Sequence, residues 1–379
     1  MAQASQQTTR PLCILSFDGG GIRGLSSLLI LQEVMLRLNG QLAKDSRDRG
    51  TTHVDLHPWQ IFDMICGTST GGLIAIMLGR LRMSVEQAIL AYNRLAKGIF
   101  SDTKWWWQEG KYKATNLERA IMEIVGEHAV PLPQSGAPVP ATSQSDSEQR
   151  NVDIGRSVKM LDERVDANLC RAFVCAVMGD SASMADRFRT YQVSRNPTPN
   201  CNIWEAARAT SAAPSFFKPA LIKDNGIEMR YIDGGLGYNN PTKLLITEAA
   251  EEFGASHQVA CILSLGTGQK NTIRLPTAGF IPKLQLLGVV GLLQKIATEC
   301  EVTHQELVAR PQLSGVYYRF NVDQGMQGVG MDEWNRMSEV GAHTRTYLRQ
   351  NPCNQEVDRA VTAILNRQGS ITVQAAAGH

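Results

Sequence analysis

An almost uninterrupted apolar run that ends in glycines constrains the fold of this chain more than any other feature of its sequence. The stretch VACILSLGTG (259–268) carries no charged residue, as expected for a strand that is covered on both faces. A second apolar run, LCILSF (12–17), also leads into glycines, and leucines at helical spacing follow it. Such strands alternate with helical patterns along the chain. This predicts an α/β fold with a mostly parallel sheet and helices on both of its faces.

Capping and turn residues predict where other elements begin and end. Ser84-Val85-Glu86-Gln87 has the pattern of a capping box and opens a helix that runs through about Lys97. Thr115-Asn116-Leu117-Glu118 has the same pattern, with Gly126 near the end of its helix. Further strands are expected at 64–67, 170–178, 188–194 and 229–235, and further helices at 204–213 and from Asn240-Pro241 to Gly254.

Composition and charge limit the classes of partner and compartment. The chain has 379 residues, of which 43% are hydrophobic and 20% charged, so it can bury a sizeable core. A net charge of +2 gives no bias toward nucleic acid, and we expect no nucleic-acid partner. The start, MAQASQQTTR, lacks the apolar run of a signal peptide. The longest uncharged apolar stretch, Leu284–Gln294, is too short to span a bilayer.

The eight cysteines are scattered along the chain, and Cys13, Cys66 and Cys261 lie in apolar runs. This favours buried free thiols in a reducing compartment, so we expect a cytoplasmic protein. No cysteine pair and no cluster of histidine and cysteine has metal-ligand spacing, so no metal is expected.

The motif DGGGIRG (Asp18–Gly24) lies between a predicted strand and a predicted helix. Successive glycines let backbone N–H groups converge on an anion, and a helix N-terminus favours negative charge. That anion could be a phosphate or the oxyanion of an acyl-transfer intermediate. Gly19–Gly24 formally fits the GxGxxG pattern of dinucleotide-binding loops. No clear acidic residue ends a second strand about 20 residues further on, as that interpretation requires.

The motif GTSTG (Gly67–Gly71) matches the G-x-S-x-G pattern of a nucleophile elbow, with Ser69 at its centre. In such an elbow the serine occupies a strained turn between a strand and a helix. An apolar strand before it and an apolar helix after it favour this interpretation over an ordinary loop serine.

A nucleophilic serine needs a base. None of the seven histidines stands at the end of a predicted strand beside turn residues, which weakens a Ser-His-Asp triad. Asp233, where the strand MRYI meets two glycines, is the better candidate, although an Asp-Gly turn is the alternative. Asp18 is interpreted as a loop-ordering or capping residue.

Together and in this order, DGGGIRG (18–24), GTSTG (67–71) and DGG (233–235) resemble the patatin-like phospholipase family. The stretches ARATSAAPSFFKP (207–219) and YIDGGLGYNNP (231–241) strengthen the resemblance, which covers about Leu12 to Gly268.

The resemblance implies a three-layer α/β/α fold and a lipid acyl hydrolase that cleaves acyl esters of glycerolipids without a cofactor. It implies that Ser69 is the nucleophile and Asp233 the base of a Ser-Asp dyad. The oxyanion hole would consist of backbone N–H groups of Gly19, Gly20, Gly21 and Thr70, and Arg23 would steady the glycine loop or meet a substrate phosphate. We therefore expect one patatin-like catalytic domain over residues 12–379, after a flexible N-terminus at 1–11. The expected domain has a helical part after about 280, and its residues 131–157, rich in Pro, Ser, Gln and Gly, are predicted to be a flexible insertion.

Membrane or micellar glycerolipid would be the partner of such an enzyme, and peripheral membrane contact is expected. Trp105-Trp106-Trp107 could be an interfacial anchor, and Leu284–Gln294 an interfacial or channel helix, although both could instead pack on the core. An acyltransferase with the same dyad, a catalytically silent signalling module and a nucleotide-binding protein are the alternative functions.

Overall fold

The computed structural model describes residues 10–100, 112–129, 144–164, 170–179, 181–214, 216–269 and 299–378. Within these ranges the strands form one sheet in the order β5-β6-β3-β2-β1-β7-β8, with β4 paired to β3 and β9 paired to β7. The strands are β1 (Leu12–Phe17), β2 (Met64–Thr68), β3 (Arg171–Met178), β4 (Ser181–Arg189), β5 (Ala220–Asp224), β6 (Ile227–Asp233), β7 (Gln258–Leu265), β8 (Tyr317–Phe320) and β9 (Ile371–Thr372).

Helices connect and cover the strands. They are α1 (Gly24–Asp48), α2 (Pro58–Ile61), α3 (Thr70–Ala75), α4 (Val85–Phe100), α5 (Ala114–Ala129), α6 (Gln144–Ser157), α7 (Ile203–Thr210), α8 (Gly235–Tyr238), α9 (Thr242–Phe253), α10 (residues 299–308), α11 (Met337–Arg349), α12 (Asn351–Asn366) and α13 (Val373–Ala377).

The centre of the sheet is parallel and its margins are antiparallel. Strands β3, β2, β1, β7 and β8 pair in parallel. Strands β4, β6 and β9 join the parallel block in antiparallel orientation, and β5 pairs antiparallel to β6. This confirms the predicted mostly parallel sheet.

The side chains of β1 show why the fold has three layers. Cys13, Leu15 and Phe17 belong to one buried cluster with residues of α1, α3, α4, α5, α7, α11 and α12. Leu12 and Ile14 belong to a second cluster with residues of α9, α10 and α13. Because successive strand residues point to opposite faces, one strand contributes to both cores. The α/β/α prediction is confirmed.

Several predicted boundaries differ from the structure. Residues 144–157, assigned from composition to a flexible insertion, form helix α6, while 131–143 lie outside the described residues. Helix α5 begins at Ala114, one residue before the predicted capping box, whereas Gly126 lies in its last turn, near the end at Ala129, as predicted. The predicted strand at 188–194 is shifted, since β4 spans Ser181–Arg189. The part after 280, expected to be helical, also contributes β8 to the sheet.

The two segments considered for membrane contact, Trp105–Trp107 and Leu284–Gln294, lie outside the described residues. None of the helices within the described ranges combines the length and apolarity needed to cross a bilayer.

Candidate active site

Ser69 lies in the tight connection between β2 and α3, with φ 56° and ψ −129°. Residues other than glycine rarely adopt a positive φ, and such backbone strain is typical of turns at functional sites. The flanking glycines make the turn possible. A Cβ at Gly67 would overlap the backbone of Gly71, and a Cβ at Gly71 would lie 2.5 Å from the carbonyl oxygens of Phe17 and Asp18. The predicted strand-turn-helix setting of Ser69 is therefore present, and its glycines are sterically required.

Ser69 and Asp233 are in direct contact. Ser69 Oγ donates a hydrogen bond of 2.6 Å to Asp233 Oδ2, and the backbone N–H of Gly235 donates one of 2.7 Å to Oδ1. Asp233 ends β6, which enters antiparallel to β3 and pairs Asp233 with Ala176, near the carboxyl end of that strand. The two side chains are therefore brought to the same edge of the sheet from elements 164 residues apart.

The environment of Asp233 suits a base. The residue is only 4% exposed. Burial raises the pKa of its carboxyl to about 7, and the hydrogen bonds from Ser69 and Gly235 oppose that rise without cancelling it. A carboxylate with a pKa near neutrality accepts a serine proton more readily than one near its ordinary value.

Two residues that sequence reasoning did not single out hold the dyad in place. Thr210 Oγ1 accepts a hydrogen bond of 3.0 Å from the N–H of Ser69 and donates one of 2.6 Å to the Cys175 carbonyl. The Ala212 carbonyl accepts the N–H of Asp233 at 3.1 Å. Both lie in the stretch ARATSAAPSFFKP, which carried the family resemblance without revealing this role.

The glycine loop differs in detail from the predicted oxyanion hole. The N–H of Gly19 donates to the Asn239 carbonyl at 3.2 Å, so this amide already has an acceptor and its position does not support the predicted oxyanion role. The N–H of Gly20 makes a long bond of 3.3 Å to Thr70 Oγ1. Gly21, with φ 59°, and Thr70 line the pocket beside Ser69.

Asp18 forms a buried ion pair with Arg319 on β8. Arg319 Nη1 donates to Asp18 Oδ1 at 2.9 Å and Nη2 to Oδ2 at 2.5 Å, and both side chains are at most 5% exposed. Asp18 is thus a loop-ordering residue, as expected. Its partner was not predicted, because Arg319 lies 301 residues away in a part of the chain outside the resemblance.

Arg23 does not reach the pocket. The residue is 4% exposed, its Nε donates to the Gly20 carbonyl at 3.4 Å, and burial lowers its pKa to about 10. It is not among the described residues that line the pocket. The prediction that Arg23 binds substrate is therefore not supported by its position, whereas its contact with Gly20 fits the alternative role of steadying the loop.

Ser69 and Asp233 open onto a mainly apolar pocket. Its walls come from the end of α4, the start of α5, the segment after α7 and the loop before α11. The apolar lining residues are Leu73, Ile99, Leu117, Ala213, Pro214, Phe216, Phe217, Leu236 and Met331. A pocket of this composition accommodates a hydrocarbon chain.

The other predicted chemistry concerns cysteines and metals. All eight cysteines are free, and seven of them are buried. Among the described residues, no group of three His, Cys, Asp or Glu side chains comes together as metal ligands.

The model of the patatin-like phospholipase family matches residues 15–246, more than half of the chain and all three motifs of the site. The chain belongs to the patatin-like phospholipase family.

Relatives within this family are distant and longer. Rat calcium-independent phospholipase A2-gamma (Rattus norvegicus) is 26% identical over 376 residues, covering 95% of this chain and 41% of the rat protein. Phospholipase A I of Arabidopsis thaliana is 26% identical over 393 residues, covering 90% of this chain and 27% of the plant protein. This chain thus spans less than half the length of these two relatives.

One solved structure, that of VipD from Legionella pneumophila, aligns with a TM-score of 0.36 at 10% identity. The alignment covers 90% of this chain and 67% of that chain.

Proposed function

We propose that this chain is a lipid acyl hydrolase of the phospholipase A or lysophospholipase type, which cleaves acyl esters of glycerolipids through a Ser69–Asp233 dyad. The observation that carries the proposal is the 2.6 Å hydrogen bond from Ser69 Oγ to Asp233 at the edge of an apolar pocket. The family match and the phospholipase names of the relatives support the substrate class.

In the proposed reaction, Ser69 Oγ attacks the ester carbonyl carbon while Asp233 accepts the hydroxyl proton. The tetrahedral intermediate collapses, its C–O bond to the alcohol breaks, and Asp233 returns the proton to the departing oxygen. Water then attacks the acyl-enzyme, gives a proton to Asp233, and releases the fatty acid. Asp233 finally returns that proton to Ser69.

The oxyanion of each tetrahedral intermediate would accept hydrogen bonds from the backbone N–H groups of Gly21 and Thr70, which line the pocket beside Ser69. The N–H of Gly20 could join them, because its 3.3 Å bond to the Thr70 hydroxyl is long enough for a charged acceptor to replace it. No metal takes part in this scheme, and the rat relative is likewise named calcium-independent.

The apolar pocket would hold the acyl chain, and the head group would remain toward the lipid surface. The proposal includes a cytoplasmic enzyme that reaches its substrate by peripheral contact with a membrane or micelle. The cytoplasmic location is proposed from the sequence. The peripheral contact is proposed because glycerolipids are poorly soluble and are present in membranes or micelles.

Labelling with a serine-directed fluorophosphonate tests the assignment. Wild type should be labelled, Ser69→Ala should not, and Asp233→Asn should be labelled at least about 100-fold more slowly, since it lacks the base. Ser314→Ala, at an exposed serine before β8, is the matched control and should label like wild type.

Hydrolysis of a phospholipid by the same four proteins is measured in parallel by release of fatty acid. If Ser69→Ala is still labelled and still hydrolyses lipid, the proposal fails.

A further inference from the structure

Ser211 places a hydroxyl group without a partner in the wall of the pocket. The residue is 6% exposed and lines the pocket together with Ser69 and Asp233. Its Oγ is buried and makes no hydrogen bond to any group of the residues that the structure describes. Buried polar groups in folded proteins are nearly always hydrogen-bonded, so an orphaned hydroxyl beside the candidate nucleophile calls for a partner from outside the chain, such as a substrate oxygen or a water.

The backbone holds Ser211 rigidly between the two supports of the dyad. The preceding residue, Thr210, accepts the N–H of Ser69, and the following residue, Ala212, accepts the N–H of Asp233. The N–H of Ser211 itself donates to the Ala207 carbonyl at 3.2 Å at the end of α7. The Cα of Ser211 is therefore held at a fixed place relative to Ser69 and Asp233, and the unbonded hydroxyl can rotate about the Cα–Cβ bond toward the pocket.

The chemistry of ester hydrolysis limits what this partner can be. In the proposed reaction, the carbonyl oxygen of the ester accepts hydrogen bonds from backbone N–H groups of the glycine loop and of the turn at Ser69. The acyl chain has no polar atom to offer. The remaining oxygen is the one that leaves as the alcohol, and its place is taken by the hydrolytic water in the second half of the reaction. A hydroxyl can donate a hydrogen bond to the departing alcohol oxygen, and it can donate a hydrogen bond to the hydrolytic water or accept one from it.

We infer that the Ser211 hydroxyl is a third catalytic group, which binds the departing alcohol oxygen and then the attacking water while Asp233 transfers the proton. This inference rests on the proposed hydrolase function and adds to the dyad a group that stabilises the leaving oxygen. Ser211 itself neither gains nor loses a proton overall.

The test compares two soluble esters of one fatty acid, an alkyl ester and a p-nitrophenyl ester, in wild type and Ser211→Ala. A p-nitrophenolate leaves without help, whereas an alkoxide needs it. We expect kcat/KM of Ser211→Ala to fall about 10- to 100-fold with the alkyl ester, the loss expected for one hydrogen bond to a developing charge. With the p-nitrophenyl ester it should fall less than about threefold. An equal fall with both esters, or no fall with the alkyl ester, would overturn the inference.

Two further variants separate a chemical role from a structural one. Ser211→Thr keeps a hydroxyl and should retain the wild-type ratio of the two kcat/KM values; the Ser211→Ala ratio in this variant would also overturn the inference. Thr210→Val loses two hydrogen bonds and should lower the Tm and both kcat/KM values together. The Tm of Ser211→Ala should stay unchanged or rise, because no hydrogen bond is lost.

Fluorophosphonate labelling of wild type but not of Ser69→Ala would show that Ser69 is the reactive nucleophile, whatever the result for Ser211. Failure of the inference about Ser211 is thereby distinguished from failure of the proposed function.

Discussion

The surroundings of Asp233, rather than its residue type, suit it to the role of base that we propose for it. An exposed aspartate is a weak base at neutral pH. Burial at the end of β6 raises the pKa of this one to about 7, even though it accepts hydrogen bonds from Ser69 and Gly235. The proposed dyad therefore needs no histidine to supply a group that titrates near neutrality.

The raised pKa predicts the pH dependence of activity. Asp233 must be deprotonated to accept the proton of Ser69, so kcat/KM should rise about tenfold per pH unit below the pKa and level off above it. The midpoint should lie near pH 7. A pH profile with a neutral soluble ester between pH 4 and pH 9 (about five units) checks this, since neither the substrate nor Ser69 titrates there. A rate that is already level from pH 5 upward, as expected for a carboxyl with the ordinary aspartate pKa of 3.8, would contradict it.

Protein stability offers an independent check on the same group. Because the pKa is raised on folding, the stability that protonated Asp233 contributes is complete below about pH 4 and is lost as the pH rises through about 7. Asp233→Asn does not ionise, so it avoids this loss of stability at high pH. At pH 8 its free energy of unfolding should exceed that of wild type by up to about 4 kcal/mol, at about 1.4 kcal/mol per pKa unit. Urea unfolding at pH 4 and pH 8 should show the larger difference at pH 8.

At the scale of elements, two glycines explain how α5 and α6 pack. A Cβ at Gly126 would overlap the backbone of Asn151, and a Cβ at Gly155 would overlap the carbonyl oxygen of Met122. The two helices thus approach each other backbone to backbone. This contact accounts for an ordered α6 in a segment whose composition is typical of a flexible insertion, because α5 provides a partner that a window of sequence does not reveal.

Gly126→Ala tests this packing. The added methyl meets backbone rather than a flexible side chain, so the helices must separate, and we expect a loss of about 1–3 kcal/mol in the free energy of unfolding. Gly40→Ala in α1 is the matched control, because nothing lies within 4 Å of its Cβ position. It should gain up to about 1 kcal/mol from helix propensity. Equal effects of the two substitutions in chemical denaturation would contradict the close contact.

At the scale of the whole molecule, β8 connects the C-terminal part of the chain to the glycine loop. Arg319 on β8 holds Asp18 at the start of the glycine loop and also donates to Ser264 Oγ at 2.9 Å. Burial disfavours a charged guanidinium, yet the carboxylate of Asp18 raises the pKa of Arg319 above its ordinary value. The family model matches residues 15–246, so the pair joins the matched region to a strand beyond it.

Arg319→Met leaves Asp18 buried without its partner and should lower the free energy of unfolding by about 3–5 kcal/mol. Activity should fall as well, since the glycine loop loses its anchor. Arg359→Met, at an arginine that is 63% exposed and paired with Glu356, is the control and should change stability by less than about 1 kcal/mol. Thermal unfolding and ester hydrolysis measure both effects. Similar Tm values for the two variants would contradict the role of the pair.

Local patterns in the sequence were sufficient for the layered α/β fold and the strand-turn-helix setting of Ser69, and they singled out Asp233, which the structure places in contact with Ser69. Strand runs, helical spacing and glycine turns act over a few residues, so they can be read without knowing what packs against them. The boundaries that failed, at β4 and α6, were those where composition was read without the neighbouring element.

The completion of the site depends on long-range contacts that are visible only in the folded chain. The fold engages the N–H of Gly19 with Asn239, turns Arg23 away from the pocket, and brings Thr210, Ser211 and Arg319 to the dyad and its loop. These contacts join residues that are up to 301 positions apart, as between Asp18 and Arg319. Hydrogen bonds and close packing at such separations leave no periodic pattern along the chain. They form only after folding, when the carboxyl ends of distant strands meet at one edge of the sheet.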